Sequence, residues 1–310
     1  MSEQSAEESD VEVDFDAVDP LSLDEALSII GEETRARIVV ELGKVVREDG
    51  TTPGSLSFSE LRERVGVADS GRFNYHLDKL VDTFVRKDES RYKLRAPGQF
   101  LYQAVVAGTL TDRETVEPFE VGECPDCGEG LIAESPSNHC LYVGCEPCDG
   151  FMHMLHLPAP GVDGRSREEL FDAALRKNHH DTAALRDGVC RGCGATVTSE
   201  LRIEAGEVWE ELYDYDVWAV FACSECQGGG VGHPAMAALT APAVLGFFAD
   251  HDRDARTMAP WHDPVADAMA ATTVADDRSR VTVPFELGDE RLRVVLDDDF
   301  RVVESERLLA

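Results

Sequence analysis

The stretch LSFSELRERVGVADSGRFNYHLDKLV, residues 56–81, contains the start and end of one short helix and the start of another. Ser57 opens an S-x-x-E capping box, and Gly66 is placed to end the helix that follows it. Shortly afterwards, Asp69 or Ser70 can cap the next helix. Two helices joined by a tight, glycine-containing turn are typical of a helix-turn-helix.

The second helix of this pair has one apolar and one polar side. At 100 degrees per residue, an apolar stripe forms from Phe73, Leu77, Leu80, Val81 and Phe84. The far side and its flanks carry Arg72, Asn74, Tyr75, His76 and Lys79. Arg and Asn can pair bidentately with base edges while Lys reaches phosphate, so this side suits the major groove of DNA. The alternative is an ordinary solvated amphipathic helix.

A basic hairpin follows the two helices. FVRKDESRYKL, residues 84–94, predicts two short strands around Asp88-Glu89-Ser90. Its predicted phosphate-binding side chains are Arg86, Lys87, Arg91 and Lys93. A further apolar helix is predicted in residues 97–110, with Phe100, Ala104 and Ala107 on one side. A helix-turn-helix followed by such a hairpin is the layout of a winged helix-turn-helix.

The net charge of the chain has the same sign as that of DNA, because 61 Asp and Glu against 29 Lys and Arg give -32. Residues 61–100, however, hold nine basic and six acidic side chains, so that segment is +3 and the rest of the chain is -35. Such widespread acidity is typical of proteins adapted to molar salt, the alternative being an ordinary acidic protein. At about 1 M salt the Debye length is about 3 Å, which screens distant carboxylates from DNA.

The first 20 residues carry eight acids and no Lys or Arg. They predict a disordered acidic tail and show neither the basic nor the apolar region of a signal peptide. The longest nearly uncharged run, residues 231–249, is interrupted by Pro234 and Pro242 and predicts buried or amphipathic helix rather than a membrane span. We therefore expect a cytoplasmic protein that does not contact membranes.

Eight of the nine cysteines form four pairs with two-residue gaps, and such pairs indicate metal thiolates rather than disulfides here. The first predicted zinc site comprises Cys124, Cys127, Cys145 and Cys148. The second comprises Cys190, Cys193, Cys223 and Cys226. The inner spacings are 17 and 29 residues, and the longer one requires a hairpin between the pairs. Four thiolates leave no open position for water, so we expect two structural Zn²⁺ ions. A redox pair, an iron-sulfur cluster, a metal sensor and exchanged pairing between the sites remain alternatives.

Other potentially reactive residues favour structural roles. Cys140 lies outside the four cysteine pairs and is interpreted as a small buried apolar residue. The histidines of FMHMLH, residues 151–156, alternate in a predicted strand. His233 follows the last cysteine pair closely, so it could contact the metal-binding cysteines without being a metal ligand itself. GGGVG, residues 228–232, lacks the context of a nucleotide-binding loop and is interpreted as a flexible turn. No catalytic constellation is recognisable, so we do not expect an enzyme.

The phrases LSFSELRERVG and SGRFNYHLDKLV, together with the hairpin, resemble the ArsR-type winged helix-turn-helix regulators, in particular a haloarchaeal group with a cysteine-paired C-terminal region. The resemblance implies that the polar residues of the second helix occupy recognition-helix positions and that Arg86 to Lys93 form the wing. It also implies a homodimer built on terminal helices, here residues 22–31 and 98–109. The chain departs from the metal-sensing members, because FSELRERV lacks their cysteine.

Together these features predict an α+β chain: an N-terminal winged helix-turn-helix, two zinc-ribbon-like modules and a small terminal β-sheet. The expected divisions are an acidic tail (1–20), the DNA-binding domain (21–115), zinc ribbon 1 (116–160), a helical connector (161–188), zinc ribbon 2 (189–235) and a terminal helix and sheet module (236–310). The expected function is sequence-specific transcriptional regulation on double-stranded DNA, with an effector or protein partner at the C-terminal region. The alternative is a zinc-ribbon adaptor for protein or RNA, with the winged helix used for protein contacts.

Overall fold

The protein is described from a computed structural model that covers residues 22–45, 54–108, 115–135, 140–148, 150–204, 206, 207, 210, 213 and 215–309. The predicted acidic tail, residues 1–20, lies outside the described residues. The chain divides into two compact units, residues 1–111 and 112–310. Both helices and several small antiparallel sheets are present, so the predicted mixed α+β class is confirmed.

The N-terminal unit combines short helices with a small antiparallel sheet of strand order β1-β3-β2. Its elements are α1 (Leu23–Ile30), α2 (Glu33–Gly43), β1 (Leu56–Ser57), α3 (Phe58–Val65), α4 (Ser70–Asp78), β2 (Val85–Asp88), β3 (Arg91–Leu94) and α5 (Ala96–Val106).

Local hydrogen bonds define the ends of α3 and the start of α4. The Ser57 backbone N–H donates to Glu60 Oε2 at 2.7 Å, and the Glu60 N–H donates to Ser57 Oγ at 3.4 Å, which completes the predicted capping box. Gly66 ends α3 at φ 78°, a conformation that a residue with a Cβ rarely adopts. Asp69, rather than Ser70, caps α4, because its Oδ1 accepts from the Arg72 N–H at 2.7 Å.

The predicted apolar stripe packs into the core of this unit. Phe73, Leu77 and Leu80 are fully buried, together with Ile38 and Leu42 of α2. Helix α4 ends at Asp78, so the later part of the stripe lies in the turn that leads to β2.

On the predicted apolar side of α5, Ala104 and Ala107 are half-buried, but Phe100 is 70% exposed. The reason is a close approach at Gly98, where an added Cβ would lie 2.2 Å from the Phe84 carbonyl oxygen. That contact sets the rotation of the helix, so Leu101 and Tyr102 pack against the core instead.

The C-terminal unit contains three antiparallel sheets. Its first part comprises β4 (Val116–Glu123), β5 (Gly130–Ser135), β6 (Cys140–Cys145), β7 (Gly150–His156) and α6 (Arg167–Arg186). Its second part comprises β8 (Val197–Arg202), β9 (Trp218–Cys223), β10 (Gly229–Gly232), α7 (Pro234–Ala238), α8 (Pro242–Asp250), α9 (Asp263–Ala270), β11 (Thr273–Val274), β12 (Arg280–Leu287), β13 (Glu290–Asp297) and β14 (Val302–Leu309).

Helix α6 links two cores within this unit. Its N-terminal half places Leu170 and Phe171 against the β4–β7 sheet. Near its C-terminal end, Leu185 packs in the core formed by the β8–β10 sheet, α7 to α9 and the terminal β11–β14 sheet. The terminal sheet forms as the alternating pattern predicts, with Leu287 paired to Glu290 across the Gly288-Asp289 turn.

The glycine run 228–232 is not the flexible turn that the sequence suggested. Gly229–Gly232 form strand β10, paired antiparallel with β9. An added Cβ at Gly229 would lie 2.1 Å from the Phe221 carbonyl oxygen, so the glycine permits the two strands to approach. In the part of the chain that the structure describes, no helix is long and apolar enough to span a membrane.

Candidate metal centres and nucleic-acid interface

The first cysteine quartet lies at the turns of two hairpins that belong to one sheet. Cys124 follows β4 and Cys145 ends β6, and each begins a turn that brings the second cysteine of its pair beside the other pair. Sγ of Cys124 lies 3.9 Å from Sγ of Cys148, and Sγ of Cys127 lies 3.5 Å from Sγ of Cys145.

The second quartet depends on the predicted hairpin across the long gap. Strand β8 pairs antiparallel with β9, and Val197 lies opposite Cys223. The Sγ–Sγ distances are 3.6 Å between Cys190 and Cys226 and 3.5 Å between Cys193 and Cys223.

Both quartets fit a tetrahedral ion. Zn–S bonds of about 2.3 Å place the sulfurs of a tetrahedral site about 3.8 Å apart. In each quartet all four sulfurs lie within 4.8 Å of one another. The four cysteines of each predicted site therefore come together as predicted, without exchange between the sites. Both quartets have the ligands and the spacing of zinc-type sites.

Backbone N–H groups favour the thiolate form of Cys190, a buried cysteine of the second quartet. Cys193 and Gly192 donate backbone hydrogen bonds to Cys190, which lowers the pKa of that thiol to about 6. The pKa of Cys193 moves the other way: a backbone N–H at Ala195 lowers it, but the neighbouring thiols of Cys226 and Cys223 raise it to about 12. Four adjacent thiolates repel one another, and a bound divalent cation would remove this repulsion.

Helix α4 presents most of the predicted DNA-binding side chains to solvent. Arg72, Asn74, Tyr75 and Lys79 are all exposed. Lys79 Nζ lies 5.9 Å from the centre of the Tyr75 ring, and Asn74 Nδ2 donates to Asp78 Oδ2 at 2.6 Å. Around the axis of α4, Arg72, Tyr75 and Lys79 share one side, whereas Asn74 lies on the flank beside the acidic Asp78.

His76 is separate from these side chains. It is 8% exposed, and its Nδ1 lies 3.2 Å from Glu32 Oε2, at the start of α2. A DNA contact by His76 stays a prediction, and its ring lies in the contact between the flank of α4 and the start of α2, whereas the other four side chains reach solvent. Helical periodicity does not reveal this burial, since it depends on where α2 packs.

The hairpin β2–β3 brings the remaining predicted residues together. Lys87 is exposed, while Arg86 and Lys93 are half-buried. Lys93 Nζ lies 3.3 Å from Asp88 Oδ2 across the hairpin. Arg91 is exposed but also serves the fold, because its Nε donates to Ser55 Oγ at 2.9 Å and so holds the segment before β1.

A family model described as a domain of unknown function, DUF7351, matches residues 121–302, which include both quartets. The chain belongs to the DUF7351 family. A second model, also described as a domain of unknown function, DUF7347, matches residues 23–105. No curated protein and no solved structure matches the chain.

The DUF7351 part also contains the histidines and the ninth cysteine that the sequence drew attention to. Cys140 is half-buried at the start of β6. His233 caps α7, because its Nδ1 accepts from the Ala235 N–H at 3.1 Å, and burial lowers its pKa to about 4. No sequence pattern pointed to Tyr213 and Tyr215, whose rings stack 5.2 Å apart in the connection between β8 and β9. They lie in a stretch without helical or strand periodicity.

Proposed function

We propose that this DUF7351 protein is a sequence-specific DNA-binding transcriptional regulator whose N-terminal unit is a winged helix-turn-helix of the ArsR type. The observation that carries the proposal is that Arg72, Asn74, Tyr75 and Lys79 are exposed on α4. This helix follows a capped helix and precedes a basic hairpin, as the winged layout requires.

In this proposal α4 enters the major groove. A nine-residue helix is about 14 Å long, which suits a groove about 12 Å wide. Arg72 reads a base edge, and Lys79 reaches a phosphate. Asn74 has to give up its hydrogen bond to Asp78 before it can contact a base. Arg72 therefore contributes more than Asn74 to the discrimination between base sequences. Lys87, Arg86 and Lys93 on the hairpin contact the backbone.

The proposed regulator is a homodimer. Apolar side chains are exposed on the two helices that the resemblance assigns to dimerisation. Leu27 on α1 is 55% exposed, and Phe100 and Val106 on α5 are 70% and 45% exposed. Burial of these groups against a second copy would remove apolar surface from water.

The C-terminal unit carries two structural Zn²⁺ ions in this proposal and serves as a sensor or interaction region rather than as an enzyme. Closed four-thiolate sites keep no position for a substrate or water. The protein acts in the cytoplasm, where thiolates remain reduced.

The test is selection of genomic DNA fragments by the zinc-loaded protein in roughly molar potassium chloride, where non-specific phosphate binding is weak. We expect a few fragments that share a short inverted repeat, as a dimer requires. On the selected site, Arg72→Ala combined with Lys79→Ala should weaken binding at least about tenfold.

A matched double variant, Arg280→Ala with Arg301→Ala, removes two exposed charges from the C-terminal unit and should leave binding unchanged. Recovery of no fragment above background, or equal binding by both double variants, would contradict the proposal. That result would favour an adaptor whose zinc ribbons bind protein or RNA.

A further inference from the structure

A cavity of about 350 Å³ lies within the C-terminal unit, between β7, α6 and the β8–β10 sheet. Ligand sites in proteins commonly have volumes of about 300–1,000 Å³, so this cavity suits a molecule of one or two rings. Gly230 and Gly232 of β10 are on its wall, and the absence of side chains there leaves room.

One polar side chain of the cavity, that of His153, has no hydrogen-bond partner among the described residues. Both ring nitrogens of His153 on β7 are buried, and no group of the described residues hydrogen-bonds to either. Burial lowers the pKa of His153 to about 4, so its ring is neutral near pH 7. A neutral imidazole offers one donor and one acceptor, and leaving both unused when buried is costly.

Part of the cavity wall is aromatic. Tyr213 and Tyr215 stack with an interplanar angle of 22°, and Tyr215 meets the edge of His233 at 5.4 Å. Phe221 and Met236 add apolar surface. Planar rings of this kind favour an aromatic guest, which can continue the stack or pack edge to face.

The described residues that line the cavity offer no unpaired charge to a ligand. No Asp or Glu is among the described residues that line it, in a chain with 61 acidic residues. Arg191 at its rim is held by Asp181, with Nη1 3.2 Å from Oδ2. Among these described residues a cation would find no counter-charge, and an anion would compete with Asp181 for Arg191.

We infer that this cavity binds a small, uncharged aromatic molecule with a hydroxyl group, which hydrogen-bonds to His153 and packs against Tyr213 and Tyr215. The hydroxyl donates to the unprotonated ring nitrogen, and the ring excludes water from the aromatic wall. This inference concerns binding alone and does not depend on DNA binding by the N-terminal unit.

The test uses the full zinc-loaded chain and three probes of similar size: phenol, cyclohexanol and toluene. Phenol offers both the ring and the hydroxyl, whereas each of the others offers one of them. We expect phenol to bind about three- to tenfold more tightly than either, since the stacking and the hydrogen bond each contribute a few-fold. The ¹⁵N signals of the His153 ring should shift on addition of phenol and stay in place with toluene.

His153→Phe keeps a ring of similar shape but removes both nitrogens, so it should reduce phenol affinity to that of toluene. His180→Gln on the exposed side of α6 is the control and should bind phenol like the unaltered chain. If His153→Phe does not fold, the ring ¹⁵N signals of the unaltered chain still decide the question. Equal affinity for phenol and cyclohexanol, or His153 signals unmoved at saturating phenol, would overturn the inference.

Discussion

Sγ of Cys193 lies 3.5 Å from Sγ of Cys223, although 30 positions separate the two residues in the chain. Antiparallel pairing of β8 with β9 accounts for this approach, because it returns the chain to the turn that holds Cys190 and Cys193. The two cysteine quartets therefore depend on the sheets, and a metal ion bound there would in turn stabilise the sheets.

The purified protein should contain two Zn²⁺ ions per chain, measured by elemental analysis against protein concentration. Cys127→Ser and Cys193→Ser each remove one ligand from a different quartet, so each should lower the count to one. Cys140→Ser is the control and should keep two. Loss of metal from the Cys140 variant, or no metal in the unaltered chain, would contradict the assignment.

Removal of zinc by a strong chelator should unfold the sheets that carry the quartets. The thiolates then repel one another, and the binding free energy that supports the two knuckle pairs is lost. Amide hydrogen exchange in β6 and β9 should accelerate, whereas α2, which has its own apolar core, should keep its protection. Unchanged protection in β9 after complete removal of the metal would show that the sites do not stabilise the fold.

Gly66→Ala should destabilise the N-terminal unit by about 1 kcal/mol, because a Cβ is strained at the positive φ that ends α3. Chemical denaturation followed by circular dichroism measures the change. Glu63→Ala on the exposed side of the same helix should alter the free energy of unfolding by less than about 0.5 kcal/mol. If both variants behaved alike, the conformation of Gly66 would not limit stability.

Asp254 should stabilise the C-terminal unit in a pH-dependent way. Hydrogen bonds from Arg256 and Arg176 hold the pKa of its carboxyl well below its usual range, and Arg176 Nη1 lies 2.6 Å from Asp254 Oδ2. A lowered pKa in the folded state gives stability that is present above the ordinary carboxyl pKa and is lost as the pH falls through and below it.

Asp254→Asn should therefore lower Tm by about 2–4 °C at pH 7. The difference from the unaltered chain should shrink as the pH falls below about 4. Thermal unfolding across this range measures it, with Asp252→Asn, an exposed neighbour, as the control. A difference that stayed constant from pH 7 to pH 3 would contradict the role of the ionised carboxylate.

DNA binding should depend only weakly on salt in the molar range. Counterion release normally supplies much of the affinity, and its contribution falls steeply with salt, so binding there must use base contacts and shape. Affinity for the selected fragment, measured by fluorescence anisotropy between about 1 and 3 M potassium chloride, should change little compared with the steep loss typical at low salt. A steep slope throughout would indicate a purely electrostatic complex.

Short-range sequence patterns predicted the parts of this protein that depend on neighbouring residues. Examples are the capping box at Ser57, the left-handed Gly66 and the two-residue gaps of the cysteine pairs. Each involves residues within about one turn of the chain, so the spacing in the sequence is enough to predict it. The alternating apolar pattern likewise predicted the terminal sheet, since one face of each strand must be buried.

Only tertiary packing decided the features that join distant segments. Burial of His76 depends on where α2 lies, and the exposure of Phe100 depends on the approach of Gly98 to the Phe84 carbonyl. The cavity at His153 forms only where β7, α6 and the β8–β10 sheet come together. Strand β10 can pair with β9 because Gly229 lets its backbone approach Phe221. No local periodicity encodes such contacts, because each arises from the shape of a surface that forms only when the chain has folded.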